Sequence, residues 1–353
     1  LLCAEGFYYC ATTVRERLNH NKIKILRQRG SDYDSMISIH KEQKAFEENV
    51  AKSLKEMGIQ VEMASRLTYN EELIKWCDVV VPCGGDGTFL LAASRVRDAN
   101  KPVIGFNSSP HKSVGRLCLP TWCSNDVKGA ITRTTLGYTL YTSRPTLASL
   151  FYSSKLILAL GWQYTRGFDR VYLKEGNLKL QVFIGESVTS RVSLLRLQID
   201  NGQWTHTKSS GLCVTTGTGS TSWHYSINCL RTHSVMELMK ILGEEFNVKI
   251  DTTIEKAREV AERYNQKLMF PADSEYLAYS VREYITFEEW PVPRGLRVRD
   301  RAGAVRVRSH CTDAGLVVDG SVSFPFNDGT EALLEIHPED SLMTVHMDDS
   351  LPF

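Results

Sequence analysis

Val79-Val80-Val81-Pro82-Cys83-Gly84-Gly85-Asp86-Gly87-Thr88 decides how this chain is read. An apolar strand runs straight into Gly-Gly-Asp-Gly-Thr, and Phe89 to Val96 continue as a helix-like run. Three glycines let the backbone turn tightly and approach a ligand without Cβ clashes. The following helix N-terminus offers unpaired N–H groups to an anion, so the stretch reads as a phosphate cradle. Asp86 repels phosphate. It therefore holds a metal, takes a proton from an attacking hydroxyl, or caps the helix. The bland alternative is an ordinary Asp-Gly turn, which does not account for the whole five-residue combination behind a buried-type strand.

Composition bounds the rest. The chain has 353 residues, 42% apolar and 24% charged, long enough for two globular domains with real cores. Its 42 Lys+Arg against 41 Asp+Glu give no global pull toward nucleic acid or membrane, so any charged site must be local. Nine cysteines, scattered and without a Cys-x-x-Cys pair, imply a reducing compartment and no structural zinc. No apolar run approaches the ~18 residues needed to cross a bilayer. Arg15, Arg17, Lys22, Lys24, Arg27 and Arg29 stand against a single acid, Glu16, over residues 15–29. That run reads either as the end of a transit segment or as a solvated flank before the first strand.

Residues 20–125 alternate strand and helix: strand Lys24 to Arg27, a helix over roughly 40–57 ended by Gly58, strand Ile59 to Met63, helix Glu71 to Trp76, strand Asp78 to Val81, helix Phe89 to Arg97 and strand Pro102 to Phe106. Such alternation predicts a Rossmann-like parallel-sheet α/β domain whose ligands bind beyond the carboxyl ends of the strands. The loops Gly84 to Thr88 and Asn107 to Ser109 should then converge on one crevice. Residues 126–176 read as a variable connection. Over 177–340 short β-patterned runs recur (Gln181 to Ile184, Leu194 to Ile199, Leu212 to Thr215, Ala304 to Arg308, Gly315 to Val318, Ala332 to Ile336), separated by turns such as Asp200-Asn201-Gly202 and Asp319-Gly320. They predict a β-rich C-terminal domain, and 341–353 form a tail. One long amphipathic helix is expected there, on Ile254, Ala257, Val260, Ala261, Tyr264 and Leu268. The active site is expected between the two domains.

A second chemical stretch, Thr215-Thr216-Gly217-Thr218-Gly219-Ser220-Thr221-Ser222-Trp223, follows the strand Leu212 to Val214. Its hydroxyls and amides suit phosphate or ribose oxygens, and Trp223 offers a flat face to a base. Alone, a Ser/Thr-rich loop with Trp223 in the core would be the better reading. Two phosphate-friendly loops in one chain point to a nucleotide enzyme. The arginines at 297, 299, 306 and 308 alternate around a turn at Asp300 to Gly303 and read as one solvated hairpin face, not as a nucleic-acid site.

Gly84 to Thr88, Gly105-Phe106-Asn107 and Thr218 to Trp223 resemble three successive motifs of the NAD kinase family: Gly-Gly-Asp-Gly-Thr, Gly-x-Asn and Thr-Gly-Ser-Thr-Ala-Tyr. Val317 to Gly320, Phe326 to Gly329, Gly115 to Pro120, Phe183 to Ser187 and Lys208 to Leu212 are similar to its animal mitochondrial branch. The resemblance runs from about residue 22 to 347. It implies transfer of the γ-phosphoryl group of ATP to the 2′-hydroxyl of the adenosine ribose of NAD, with Mg²⁺, giving NADP, in a mitochondrial (matrix) homodimer without nucleic-acid or membrane partners. It also implies Asp86 as general base, Gly84, Gly85, Gly87 and Thr88 as the phosphate loop, and Asn107 as a dinucleotide contact. Gln181, Thr218, Gly219, Ser220, Thr221, Ser222, Trp223 and Ser226 would line the substrate pocket; no protein metal site is implied. Where the family places Asn-Glu, this chain has Leu180-Gln181, and a lost hydrogen bond there costs ~1 to 3 kcal/mol of affinity. The family's frequent acid in Ser-Asp-Gly-Leu is Ser210 here. The alternatives are a diacylglycerol- or sphingosine-type lipid kinase, which shares Gly-Gly-Asp-Gly-Thr, and a catalytically weakened NAD-binding homologue.

Overall fold

Parallel pairing organises the first of two units into which the chain divides, Leu1–Ser154 with Leu342–Phe353, and Lys155–Ser341. The computed structural model describes residues 2–3, 29, 33–98, 101–111, 114–130, 153–154, 158–161, 181–272, 274–285, 296–320, 322–336 and 342–343. The expected strand Lys24 to Arg27, Leu180 and most of 126–176 lie outside them.

In the first unit β1 (Leu2–Cys3) runs parallel to β2 (Pro82–Cys83). Single parallel bridges extend the array: Val80 to Val103, Cys83 to Phe106, and Gly105 to Cys118. Helix α1 (Tyr33–Glu56) begins seven residues before the expected start at 40 and ends where Gly58 takes φ +79°. Its buried Val50 and Leu54 pack with Cys83, Phe106, Leu119 and Cys123 into one core. Helix α2 (Glu71–Trp76) is capped by Asn70, whose Oδ1 accepts from Leu73 N at 3.0 Å. The expected strand Ile59 to Met63 forms no strand ladder among the described residues. Helix α3 (Asp86–Ala93) starts three residues earlier than expected, with Gly85 as its cap. Asp86 is therefore the first residue of the helix. A short helix, α4 (Thr121–Asn125), follows the Gly115–Pro120 segment. Late in the chain order β3 (Ser153–Ser154) pairs antiparallel with β15 (Leu342–Met343).

The second unit packs two antiparallel sheets around one core. Its strands are β4 (Leu158–Gly161), β5 (Gln181–Glu186), β6 (Ser193–Ile199), β7 (Thr205–Ser209), β8 (Gly211–Thr215), β9 (Leu277–Arg282), β10 (Arg299–Ala302), β11 (Ala304–Ser309), β12 (Ala314–Val318), β13 (Val322–Pro325) and β14 (Glu331–Ile336). One sheet has the order β10-β9-β8-β5-β12-β13 and the other β4-β14-β11-β6-β7. Alternate residues point inward: Val182 and Ile184, Leu195 and Leu197, Leu212 and Val214, and Val305 and Val307 all join the same buried cluster. Asp200 and Asn201, both at positive φ, make the turn between β6 and β7, and Asp319-Gly320 does the same between β12 and β13.

Two expectations are corrected. The arginine hairpin does not form, because β10 pairs with β9 in one sheet while β11 pairs with β14 and β6 in the other. Gly303 turns the corner, where Asp200 Oδ1 accepts from Gly303 N at 2.7 Å and from Ala304 N at 2.9 Å. Besides α7 (Ile254–Gln266) there is a second long helix in this unit, α6 (Thr232–Glu245). Its apolar residues fall on two faces, Val235 and Met239 buried but Leu238, Ile241 and Leu242 exposed, which blurs the amphipathic pattern. Among the described residues no helix is long and apolar enough to cross a membrane.

Gly105 locks the first unit together: a Cβ there would meet Phe89 Cδ2 of α3 at 2.7 Å and Cys118 Sγ at 3.0 Å. Gly105→Ala should destabilise the protein by about 1 to 3 kcal/mol through overpacking. Urea denaturation checks it, and an unchanged midpoint would show that α3 is free to shift.

Candidate functional site

Gly84 to Thr88 turn directly from β2 into α3. Gly84 N donates to Phe106 O at 2.9 Å, and Gly85 O accepts from Thr88 N at 2.9 Å and from Phe89 N at 3.2 Å. The N–H groups of the first helical turn lie at the positive end of the α3 dipole. Gly87 is exposed, and a Cβ built on it would meet nothing within 4 Å. The space over this residue is open.

Asp86 does not cap the helix. Gly85 is the cap and makes no side-chain cap bond, while Asp86 Oδ1 accepts from Leu117 N at 2.8 Å, thirty-one residues along the chain. Its Oδ2 accepts no hydrogen bond among the described residues. Beside it Cys118 is an unreactive thiol, pushed up to about 12 by burial and by the Asp86 charge.

Asn107 emerges next to this turn, as the parallel bridge from Cys83 to Phe106 requires. It is 1% exposed, and its Oδ1 accepts from Ser109 N at 3.1 Å. Gly115, at φ +60°, leaves room for it, since a Cβ there would meet Asn107 Nδ2 at 2.4 Å. The loops after β2 and after Phe106 thus meet the Gly115–Leu117 turn, and Gly84, Gly85, Asp86, Gly87, Thr88 and Asn107 form one group.

The second group belongs to the second unit. Thr218–Thr221 is a 3₁₀ turn, followed by the short helix α5 (Trp223–Asn228). Most of its hydroxyls are turned inward. Ser220 Oγ donates to Gly217 O at 2.6 Å and accepts from Phe270 N at 3.3 Å, and Thr216 Oγ1 accepts from Gly219 N at 3.4 Å. Thr218 Oγ1 is buried without a partner among the described residues. Thr221, Ser222 and Ser226 stay nearer solvent, with Ser226 Oγ donating to Ser222 O at 3.2 Å.

Gln181 fixes this segment to the sheet. Its Oε1 accepts from Ser222 Oγ at 2.8 Å and from Trp223 N at 3.3 Å, and its Nε2 donates to Cys213 Sγ at 2.7 Å. Gln181 N donates to Asp319 Oδ1 and Asp319 N to Gln181 O, each at 2.9 Å. Trp223 is 41% exposed and so does not fill the core. Its ring stacks on Phe183 with centroids 4.6 Å apart. Phe183, Leu117, Gly115 and Cys213 support the two groups without having been singled out as site residues. Phe183 lies two positions after Gln181 on β5 and hence on the same face of the strand, a period-two signal that could have found it.

The comparisons with known proteins bear on these same loops. Residues 10–112 match the family model for the ATP-NAD kinase N-terminal domain, which takes in both Gly84 to Thr88 and Asn107. The chain is 34% identical over 91% of its length, and 77% of the relative's, to NAD kinase 2, mitochondrial, of Homo sapiens. It is 33% identical over 91% of its length, and 80% of the relative's, to the same-named protein of Rattus norvegicus. A solved NAD kinase from Archaeoglobus fulgidus in complex with ATP matches over 85% of this chain and 88% of its own, at a TM-score of 0.49 and 16% identity. Identity at this level over 91% of the chain makes it a member of the NAD kinase family.

Proposed function

We infer that this chain is an NAD kinase, moving the γ-phosphoryl group of ATP to the 2′-hydroxyl of the adenosine ribose of NAD and releasing NADP. The observation that carries the reading is Asp86 as first residue of α3, with one oxygen tied to Leu117 N and the other without a hydrogen bond among the described residues. A carboxylate at an anion-binding helix terminus opposes phosphate binding, and a hydroxyl that must lose its proton gives it a use there. Phosphoryl transfer passes through a loose transition state, so alignment and charge neutralisation matter more than deep deprotonation. Family membership speaks against a lipid kinase.

In this reading the N–H groups of Gly85, Asp86 and Gly87, which make no bond inside the turn, bind phosphate oxygens, and Asn107, packed on Gly115, orients the nucleotide beside them. Trp223 on Phe183 gives the dinucleotide an aromatic platform, rimmed by Thr221, Ser222 and Ser226. Gln181 acts through Ser222 and Trp223, holding the platform from behind. Mg²⁺ accompanies ATP and neutralises its phosphates. Among the described residues no three His, Cys, Asp or Glu side chains come together, and Asp86 is the one carboxylate of the loop, a donor set that fits an ion held chiefly by phosphate oxygens and water. Homodimerisation and residence in the mitochondrial matrix belong to the same reading. The first is supported by exposed Leu238, Ile241, Leu242 and Phe246, the second by the mitochondrial relatives.

The decisive experiment is NADP formation by purified protein with ATP, Mg²⁺ and NAD. Asp86→Asn should lower kcat by ~10² or more while NAD still binds, as calorimetry beside turnover will show; wild-type turnover would remove Asp86 from the role of base. Gly87→Ala should leave the melting temperature unchanged or slightly raised, since Ala is the better helix residue by about 1 kcal/mol. Affinity for ATP should nevertheless fall, because the methyl group projects into the open space over the turn. An unaltered Kd for ATP would mean that no ligand approaches Gly87. Gln181→Leu should raise KM for NAD about tenfold with less effect on kcat, the loss expected when the part-buried donors at Ser222 and Trp223 lose their shared acceptor and the platform loosens. An equal fall in kcat at unchanged KM would contradict the platform role.

A further inference from the structure

Within the second unit, α5, the C-terminal end of α7 and strand β10 line a half-open cavity of 270 Å³ that includes neither the Gly84–Thr88 turn nor Trp223. Three cations line it, Lys267, Arg299 and Arg301. None of them has a carboxylate partner among the described residues. Asp300, the carboxylate in the lining, is engaged by Arg297 at 3.0 Å and by the backbone N of Arg301 at 2.9 Å.

Aromatic groups hold the two guanidinium groups in place instead. Arg299 donates to the Tyr264 hydroxyl at 2.9 Å, and its Cζ lies 5.6 Å from that ring's centroid. Arg301 lies 4.6 Å from the Tyr276 ring and 5.9 Å from Phe270, which stack on each other at 5.1 Å. His224 completes one wall without adding charge: burial, then the Arg299 charge, push its pKa down to about 4. Three cations without carboxylate partners repel one another, so beyond these aromatic contacts folding gains little from bringing them together. Guanidinium groups fixed in advance bind carboxylate or phosphate oxygens at a lower entropic cost.

We propose that this cavity binds a compact polyanion, a di- or trianion bearing phosphate or carboxylate oxygens and smaller than a nucleotide. The volume sits just below the usual range for drug-sized ligands, which limits the occupant to about the size of pyrophosphate or citrate. The cavity also abuts the substrate segment: His224 directly follows Trp223, and Phe270 N donates to Ser220 Oγ at 3.3 Å. Filling it stiffens the turn that carries Trp223 and lowers KM for NAD, a consequence that rests on the NAD kinase reading, whereas binding itself does not.

Titrating the full chain calorimetrically with inorganic pyrophosphate, and separately with citrate, tests the proposal and tells phosphate from carboxylate preference. Binding of at least one at millimolar concentration or below is expected. Lys267→Gln and Arg301→Gln, both at exposed positions where the fold tolerates change, should each weaken it about tenfold or more while NADP formation without added anion stays at the wild-type rate. No binding of either anion overturns the site. So does an affinity unchanged in both variants, which would put the anion elsewhere, the Gly84–Thr88 turn first. Binding that leaves KM for NAD unmoved overturns the coupling to Trp223.

Discussion

Absence of a side chain at Gly105 sets the geometry of the first unit. Parallel register puts Gly105 beside Cys118 while its neighbour Phe106 pairs with Cys83, so strand ends from three parts of the chain stop at one level. Phe89, in the first turns of α3, lies over Gly105, and the 2.7 Å that a Cβ would leave shows how closely the helix is seated. Seating α3 fixes its first residue, Asp86. Only then does Leu117 N come within 2.8 Å of the Asp86 carboxylate. A packing constraint in the core is thereby converted into the position of a charged oxygen at the surface, through backbone connections too short to flex.

The second unit reaches rigidity by a different route. Its Thr218–Ser222 segment is rich in groups able to bind a ligand, yet Thr216 and Ser220 spend their hydroxyls on the backbone of the turn itself. Gln181 spends both ends of its amide, on Cys213 and on Ser222 and Trp223. A buried amide bonded at both its oxygen and its nitrogen confines its neighbours to one arrangement, while one bonded at neither would cost more than an apolar residue. What stays available at the surface is Trp223 and the hydroxyls next to it. A platform ordered beforehand loses little conformational entropy when a flat ligand settles on it.

Sequence patterns made the local features legible. The glycine turn, the Gly58 stop, the Asp200-Asn201 and Asp319-Gly320 hairpins and six strands of the sandwich follow from periodicity and turn chemistry, which act within a few residues. Long-range partners were not legible. Nothing in Asp86-Gly87 announces Leu117 thirty-one positions later, and Asp86 reads equally well as a cap until the cap is seen to be Gly85. Gln181 reads as a ligand contact because its amide can donate and accept; which atoms use it depends on strand pairing with Cys213 and on the approach of Ser222. The arginine hairpin failed for a related reason. Alternation gives the face of each strand but not its sheet, and a corner at Gly303 sends β10 and β11 to opposite layers.

Charge is distributed in the same local manner. With 42 basic and 41 acidic residues the chain has almost no long-range field to gather anionic substrates, and at physiological salt a field of that kind would fade within about 8 Å in any case. Attraction must come from groups within contact distance. In the first unit the groups proposed for that task are neutral donors, the N–H groups at the start of α3, whose pull on a phosphate would survive the presence of Asp86 because it is directional and acts at hydrogen-bond range. A positive side chain in the same place would bind phosphate more strongly, but it would hold the ground state as tightly as the transition state and leave nothing to accept a proton. On the proposed reading the loop combines weak, well-aimed donors with one carboxylate, a compromise that gives up affinity in order to favour the step in which a hydroxyl becomes a nucleophile.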